Sequence, residues 1–277
     1  MKCRNLLCGI CNIAIFLIIL SPSYAVEVID GAVEEFFENG QLKIEKQLKS
    51  GKLHGAYREY YPNGKLLSVG AYENNQLHGT FKSYYEGGGI FLEKNFFHGK
   101  YHGLVAEFYE NEHPKSIEHY QNDTLEGTSQ YFFEDGQPRL LLNFKNGKLN
   151  GLSQEFQENG AIISEIHYKN DHMEGLAKEY SNGGFLNAQW NYKNDLKDGA
   201  GKTFYANGQV EWEMNFVHGI LEGLSKKFSD TGKLILEVPY KNNEFEGIVK
   251  EYNTSGNLKN QCEYNKGVKS ASCKDSL

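Results

Sequence analysis

The chain is short of what a helical or nucleic-acid-binding protein needs. No stretch shows an apolar period of 3.6 residues, and glycine, asparagine and aromatic residues recur throughout. Basic charge is not in surplus: Lys and Arg total 29 against 36 Asp and Glu, a net of −7. Phosphate backbones need a basic face, so nucleic acid is not expected as a partner. Purely electrostatic attraction to anionic lipid is disfavoured for the same reason. Proline is scarce, at five residues. Pro114 and Pro138 fall just after turns, where a strand can start without its N–H, whereas Pro239 is expected to break a strand. No serine or cysteine nucleophile stands in a turn context, and no phosphate loop or metal-ligand cluster is evident. No catalytic residue, cofactor or metal is therefore assigned, and an enzyme is not expected.

One apolar run is present, Ile10 to Leu20, broken only by Cys11-Asn12. It is shorter than the ~20 residues that span a membrane. Lys2 and Arg4 precede it, Ser21-Pro22 ends it, and Ser23-Tyr24-Ala25 sets small residues where a signal peptidase reads. Residues 1–25 are read as a signal peptide, which makes the mature chain exported, periplasmic or extracellular. An uncleaved anchor is the other reading. Of five cysteines, Cys3, Cys8 and Cys11 leave with the leader. Cys262 and Cys273 remain, either as a disulfide of an exported chain or as two free thiols.

What the chain does have is a period. Glycines stand at Gly31, Gly55, Gly79, Gly103, Gly127, Gly151, Gly175, Gly199, Gly223 and Gly247, each 24 residues after the last. Five residues on comes an aromatic every time, from Phe36 and Tyr60 to Tyr252. Nine residues on comes another glycine, replaced once, by Glu112. Seventeen residues on comes Leu48 and then an unbroken aromatic column, Tyr72 to Tyr264. A fixed period of this length marks stacked repeats.

Each repeat holds two turn signals. The first is typically Asn-Gly, as at Asn63-Gly64, the strongest short hairpin signal because a type I′ turn needs positive φ at both central residues. The second is a pair such as Asn74-Asn75, His98-Gly99 or Asn122-Asp123, residues that tolerate the left-handed region. Each repeat is thus a β-hairpin, and the whole is expected to be all-β: an elongated single-layer antiparallel meander of ten 24-residue hairpin repeats over residues 26–268, with a tail at 269–277. About twenty strands at ~4.8 Å give a rod of roughly 90–95 Å.

With a two-residue turn at Asn63-Gly64, Gly55 lies opposite Tyr72, and the second turn sets Tyr72 opposite Leu77. The repeat glycine is then expected to make room for the facing ring; a bulge glycine is the alternative. Alternation sends the Tyr60 column and the Ala56 column to the other face. Apolar columns on both faces leave three outcomes: a sheet curled into a trough, a covering partner, or bulges that bring both columns inward. Asn111-Glu112-His113-Pro114 is read as a local distortion. A turn at Lys266-Gly267 sets Cys262 opposite Ala271 and one diagonal from Cys273.

The unit Leu53-His54-Gly55-Ala56-Tyr57-Arg58-Glu59-Tyr60-Tyr61-Pro62-Asn63-Gly64 and its repetitions resemble the MORN repeat variant (membrane occupation and recognition nexus), over about residues 27–268. In bacteria such proteins are often labelled antitoxin-like. The resemblance implies the fold; a shared fold does not carry a shared activity.

His54, His78 and His102 share a column, but their ~9–10 Å spacing is too wide for one ion. His98 and His102 flank one turn without an evident third ligand, and these histidines are read as solvated. The column continues as Glu126, Asn150, Glu174, Asp198, Glu222 and Glu246, grading to acid. The Glu59, Glu107, Glu155, Glu179 and Glu251 column, next to Arg58, Lys178 and Lys250, reads as a solvated charged lattice. A long apolar stripe on a single sheet asks for a partner. The expected function is a non-enzymatic protein-binding or scaffold module, with Tyr61, Tyr85, Tyr109 and Tyr205 as candidate contacts. The alternatives are an antitoxin or immunity-like component and a membrane- or glycan-surface module; self-association is a further expectation.

Overall fold

Each strand pair is closed by a turn whose chemistry can be followed atom by atom. The computed structural model describes residues 30–271 and 273–275; the leader read at residues 1–25 lies outside them. At all ten second turns both residues have positive φ, as at Asn74 (51°) and Asn75 (67°). This is the type I′ geometry the residue pairs predict, and its twist matches that of the strands it joins.

The first turns depart from expectation. At Pro62-Asn63-Gly64 only Gly64 has positive φ, 82°. Tyr61 N donates to Lys65 O at 2.8 Å and Gly64 N to Tyr61 O at 2.9 Å. The loop has three residues, a type I turn ending in a left-handed glycine. Asn63 does other work: its Oδ1 accepts from Lys65 N at 3.0 Å. The register still sets Gly55 opposite Tyr72 and Tyr72 opposite Leu77. A β-bulge compensates for the longer loop, since Tyr60 faces Leu66 but Glu59 faces Ser68, leaving Leu67 unpaired.

Among the described residues the result is one open antiparallel sheet in meander order, with 27 strand segments. Six of these are second halves of interrupted strands, as Gly79–Tyr84 is to Gln76–Leu77. Rejoined, they leave 21 strands: the expected twenty plus the first strand of an unfinished eleventh repeat.

The interruptions explain the repeat glycine. Tyr72 faces Leu77, yet Ser68 faces Ser83, a slip of two residues around Gly79. All ten repeat glycines have positive φ, from 79° at Gly79 to 113° at Gly151. They are bulge glycines, required by backbone conformation. They do not make room for the facing ring: a Cβ on Gly151 would meet Asn143 Cβ at 3.3 Å, not Phe144 or Tyr168. Rings do lie over glycine elsewhere. A Cβ on Gly70 would meet Phe81 Cδ2 at 2.7 Å, and one on Gly201 would meet Trp190 Cε3 at 2.5 Å.

Two further expectations are corrected. Asn111-Glu112-His113 keeps the ordinary turn, with Tyr109 N bonded to His113 O at 2.9 Å and Glu112 in the glycine's left-handed conformation at 68°. Pro239 lies inside a continuous strand, Leu234–Lys241. Its carbonyl accepts from Glu246 N at 3.0 Å. A residue's N–H and C=O point to the same side of a strand, so its missing N–H faces the bulge at Gly247.

The thin core lies mainly on one face, called here the inner face, with Ala106 buried on the other. It carries residues two and four after the repeat glycine, with their partners thirteen, fifteen and seventeen after it. Ser129, Ser225 and Val238 are its most deeply buried side chains, and Val105, Ala177, Ala188, Trp190 and Cys262 are also buried. The outer face holds ion pairs such as Arg58–Glu45 and leaves Leu224 and Ile248 exposed.

Candidate functional site

The inner face is an aromatic trough. Rings from successive strands meet in runs: Phe96 to Tyr101 at 5.0 Å and Tyr101 to Tyr120 at 5.3 Å, then Tyr240 to Phe245 at 5.2 Å and Phe245 to Tyr264 at 5.3 Å. The type I′ turn dictates this, because it sets each aromatic directly across from the second residue after the turn. The column fifteen after each glycine gives the trough two characters. It is Lys46, Gly70, Lys94 and Glu118 in the first four repeats and Leu142, Ile166, Trp190, Met214, Val238 and Cys262 thereafter.

A hollow of about 590 Å³ opens on this face, lined among others by Phe91, Lys94, Tyr101, Tyr109, Glu118 and Tyr131. Glu118 is its polar centre. It accepts from Tyr120 Oη at 2.8 Å and Tyr131 Oη at 2.6 Å. Burial, reinforced by the bond to Glu118, pushes the Tyr120 phenol up to about 12 and raises that of Tyr131 as well. Lys94 Nζ donates to Tyr101 Oη at 3.0 Å. Further along, Lys197 lies with Nζ 3.3 Å from the Trp190 ring centroid. Burial lowers its pKa, with Glu179 opposing. A carboxylate, cations and exposed ring edges in one trough can grip an extended chain through both apolar and charged contacts.

The sequence-derived candidates fare unequally. Tyr61, Tyr85, Tyr109 and Tyr205 all spend their hydroxyls inside the molecule. Each donates to the carbonyl of the conserved-position aromatic one repeat on, Tyr84, Phe108, Phe132 and Phe228, at 2.7 to 3.0 Å. They are staples between successive first turns. Only Tyr109 lines the hollow, and Tyr85 reaches it indirectly, its ring 5.1 Å from Phe91. The expected charged lattice divides between the faces: the Glu59 column, four after the repeat glycine, falls on the inner face, where Glu107 lines the hollow, while Arg58–Glu45 at 2.9 Å, Lys178–Glu165 at 3.0 Å and Lys202–Glu213 at 2.7 Å pair on the outer face. Lys178, Tyr180 and Gln154 bond Glu165, holding its carboxyl below the ordinary range, Lys178 most strongly.

The histidine-to-acid column caps turns. Glu126, Glu174, Asp198, Glu222 and Glu246 accept from the first residue of the next type I′ turn at 2.7 to 3.2 Å. Asp and Asn at the second turn position reach back to the preceding repeat, as Asp123 Oδ1 does to Tyr101 N at 2.8 Å. In two of the histidines, His54 and His78, the Nδ1 atom is buried although the residue is only half-buried. His98 approaches His78 and Glu73, which sequence spacing did not indicate.

A column that sequence reading passed over sits sixteen residues after the glycine. Asn95, Asn143 and Asn191 donate Nδ2 to Leu104 O, Leu152 O and Ala200 O at 2.6 to 2.9 Å. His167 Nδ1 pairs with Leu176 O at 2.8 Å. These side chains partner the carbonyls that follow the bulge. The signal was a polar column in phase with the glycines.

At the end of the rod Cys262 and Cys273 come together, Cα atoms 4.4 Å apart and sulfurs paired. They are directly across rather than diagonal, because the two-residue slip recurs after Lys269: Gln261 faces Lys274.

Repeated hairpins of one length, one sheet and bulge glycines in phase define a β-hairpin repeat protein. The profile of the MORN repeat variant matches nine segments, 29–50, 53–74, 77–98, 101–122, 125–146, 149–170, 197–218, 221–242 and 245–266. The chain belongs to this family. The unmatched interval, 171–196, folds as a repeat all the same, with Gly175 opposite Tyr192. Comparison with curated proteins gives no match. Among solved structures, those titled "Crystal Structure of TcdB2-TccC3-Cdc42" and "Crystal Structure of TcdB2-TccC3" are similar at 11% identity each. They cover 84% and 86% of this chain but 14% and 15% of theirs, at TM-scores of 0.21 and 0.20. The chain thus spans about a seventh of those proteins.

Proposed function

We propose that the protein is an exported, non-enzymatic binding rod that holds an extended protein segment along its inner face. The observation that carries this is the hollow over residues 91–139, where an aromatic floor surrounds Lys94 and Glu118. A single-layer sheet cannot cover such a face from within. Export rests on the leader composition at residues 1–25. Binding is expected to draw on the ring edges of Tyr101, Tyr120 and Tyr131, with Tyr109 at the rim.

The test is cross-linked affinity capture of the chain, expressed with its own leader and compared with a Lys94→Glu/Tyr101→Ala variant of equal circular dichroism. The expected result is a protein partner that the variant loses. One partner at equal stoichiometry would make the rod an immunity or antitoxin-like component. Capture unchanged by the variant, or recovery of only lipid, glycan or the chain itself, overturns the inner-face reading. Export is checked separately, by fractionation and by the N-terminal mass of the mature chain, expected to begin at Val26.

A further inference from the structure

We infer that Glu73, His78 and His98 form a binding site for a borderline divalent metal ion such as zinc. Glu73 ends the strand Leu66–Glu73, His78 follows the next turn, and His98 opens the turn one repeat on. Their ligand atoms all lie within 4.8 Å of one another. His78 Nδ1 and His98 Nδ1 are each 3.5 Å from Glu73 Oε2. Tetrahedral ligands held ~2.0–2.1 Å from a zinc ion stand about 3.4 Å apart, so the two closest pairs already have the needed spacing. Two imidazoles and one carboxylate form a donor set suited to zinc, nickel or copper rather than to calcium or magnesium. A fourth position is left for water or for a donor from a partner.

A second observation points the same way. His78 Nδ1 is shielded from solvent and has no hydrogen-bond partner. In six other repeats the residue at the His78 position is an acid that caps the next turn's N–H. Here the capping bond is absent, and the rings of His78 and His98 stand 5.2 Å apart over Glu73 instead. Phe97 walls one side, 5.5 Å from His78 and 4.3 Å from His98. The arrangement is also unique along the rod. Glu73 is the sole acid among residues eighteen after the repeat glycine, a column that otherwise reads Lys, Phe, Gln, Val or Asn. Repeat-wide packing therefore does not account for it.

The experiment is calorimetric titration of the mature chain with zinc chloride, alongside His98→Ala, Glu73→Gln and, as a control, His113→Ala. His113 bonds Glu134 O at another turn. One equivalent of zinc is expected to bind the parent chain and the control alike. Its affinity is expected to fall at least about tenfold in His98→Ala and Glu73→Gln. Zinc is also expected to raise the Tm of the parent chain and not that of the two variants. Circular dichroism confirms that each variant folds. Absence of a saturable equivalent, or equal affinity in the parent, His98→Ala and Glu73→Gln, overturns the site.

Discussion

At the residue scale, two glycine roles can be separated by experiment. Gly223 has φ of 85° and open space around its missing Cβ; Gly151 has φ of 113° and would also press on Asn143. Gly223→Ala is expected to cost about 1–2 kcal/mol from the left-handed backbone alone. Gly151→Ala should cost more, about 2–3 kcal/mol. Urea midpoints of the two variants check the order, and equal costs would refute the crowding at Asn143. Glu118 offers a spectroscopic test. Glu118→Ala removes the acceptor that helps hold Tyr120 near 12 and takes the partner from two half-buried hydroxyls. The Tyr120 titration should move down, burial alone keeping it above the ordinary value, and stability should fall by about 1–3 kcal/mol.

At the scale of the element, the unit is less a hairpin than a hairpin tied to the next. Several first turns are stapled by a tyrosine hydroxyl or an asparagine amide, and most second turns by an acid or an Asn/Asp side chain. Tyr85→Phe keeps the ring and removes one bond to Phe108 O, so a loss of about 0.5–1.5 kcal/mol is expected. Hydrogen exchange should quicken around Phe108–Tyr109 and not at the far end of the rod, since repeats contact only their neighbours. The terminal strand depends on the Cys262–Cys273 pair. In Cys273→Ser, exchange protection is expected to drop within Leu258–Asn265 and remain unchanged in earlier repeats.

For the whole molecule, the tyrosines set the pH response. Tyr57, Tyr72, Tyr120, Tyr131, Tyr168, Tyr192 and Tyr240 all have raised pKa values, burial being the first cause in each. A folded-state value above the unfolded ~10 means the stabilisation is whole below pH ~10 and is lost as pH climbs through the folded values. Urea midpoints should hold steady from neutrality to about pH 9.5 and then fall steeply. A flat profile to pH 11 would contradict the buried trough. The carboxylates act at the other end. Glu165, held low by Lys178, Tyr180 and Gln154, stabilises above the unfolded value of ~4.3, and that share fades as pH falls below it.

The periodic features were legible because they are local. The type I′ pairs announce their own φ values, and phase fixes which residues face one another, so strand number and the Gly55–Tyr72–Leu77 register follow from counting. Two errors in the sequence reading share one cause. Bulges carry no residue of their own: the extra Leu67 and the slip at Gly79 are decided by which hydrogen bonds the sheet can close. The first compensates for a miscounted loop; the second moves Cys273 from a diagonal to a facing position.

By itself the sequence determined the repeat, its strands, its type I′ second turns and its family, since each follows from residue type at a fixed spacing. Only the tertiary structure decided which face is the trough and that the four tyrosines are staples. It also decided that Glu73, His78 and His98 meet. These outcomes depend on side chains from strands a repeat apart, where bulges and packing, rather than spacing along the chain, set the distances.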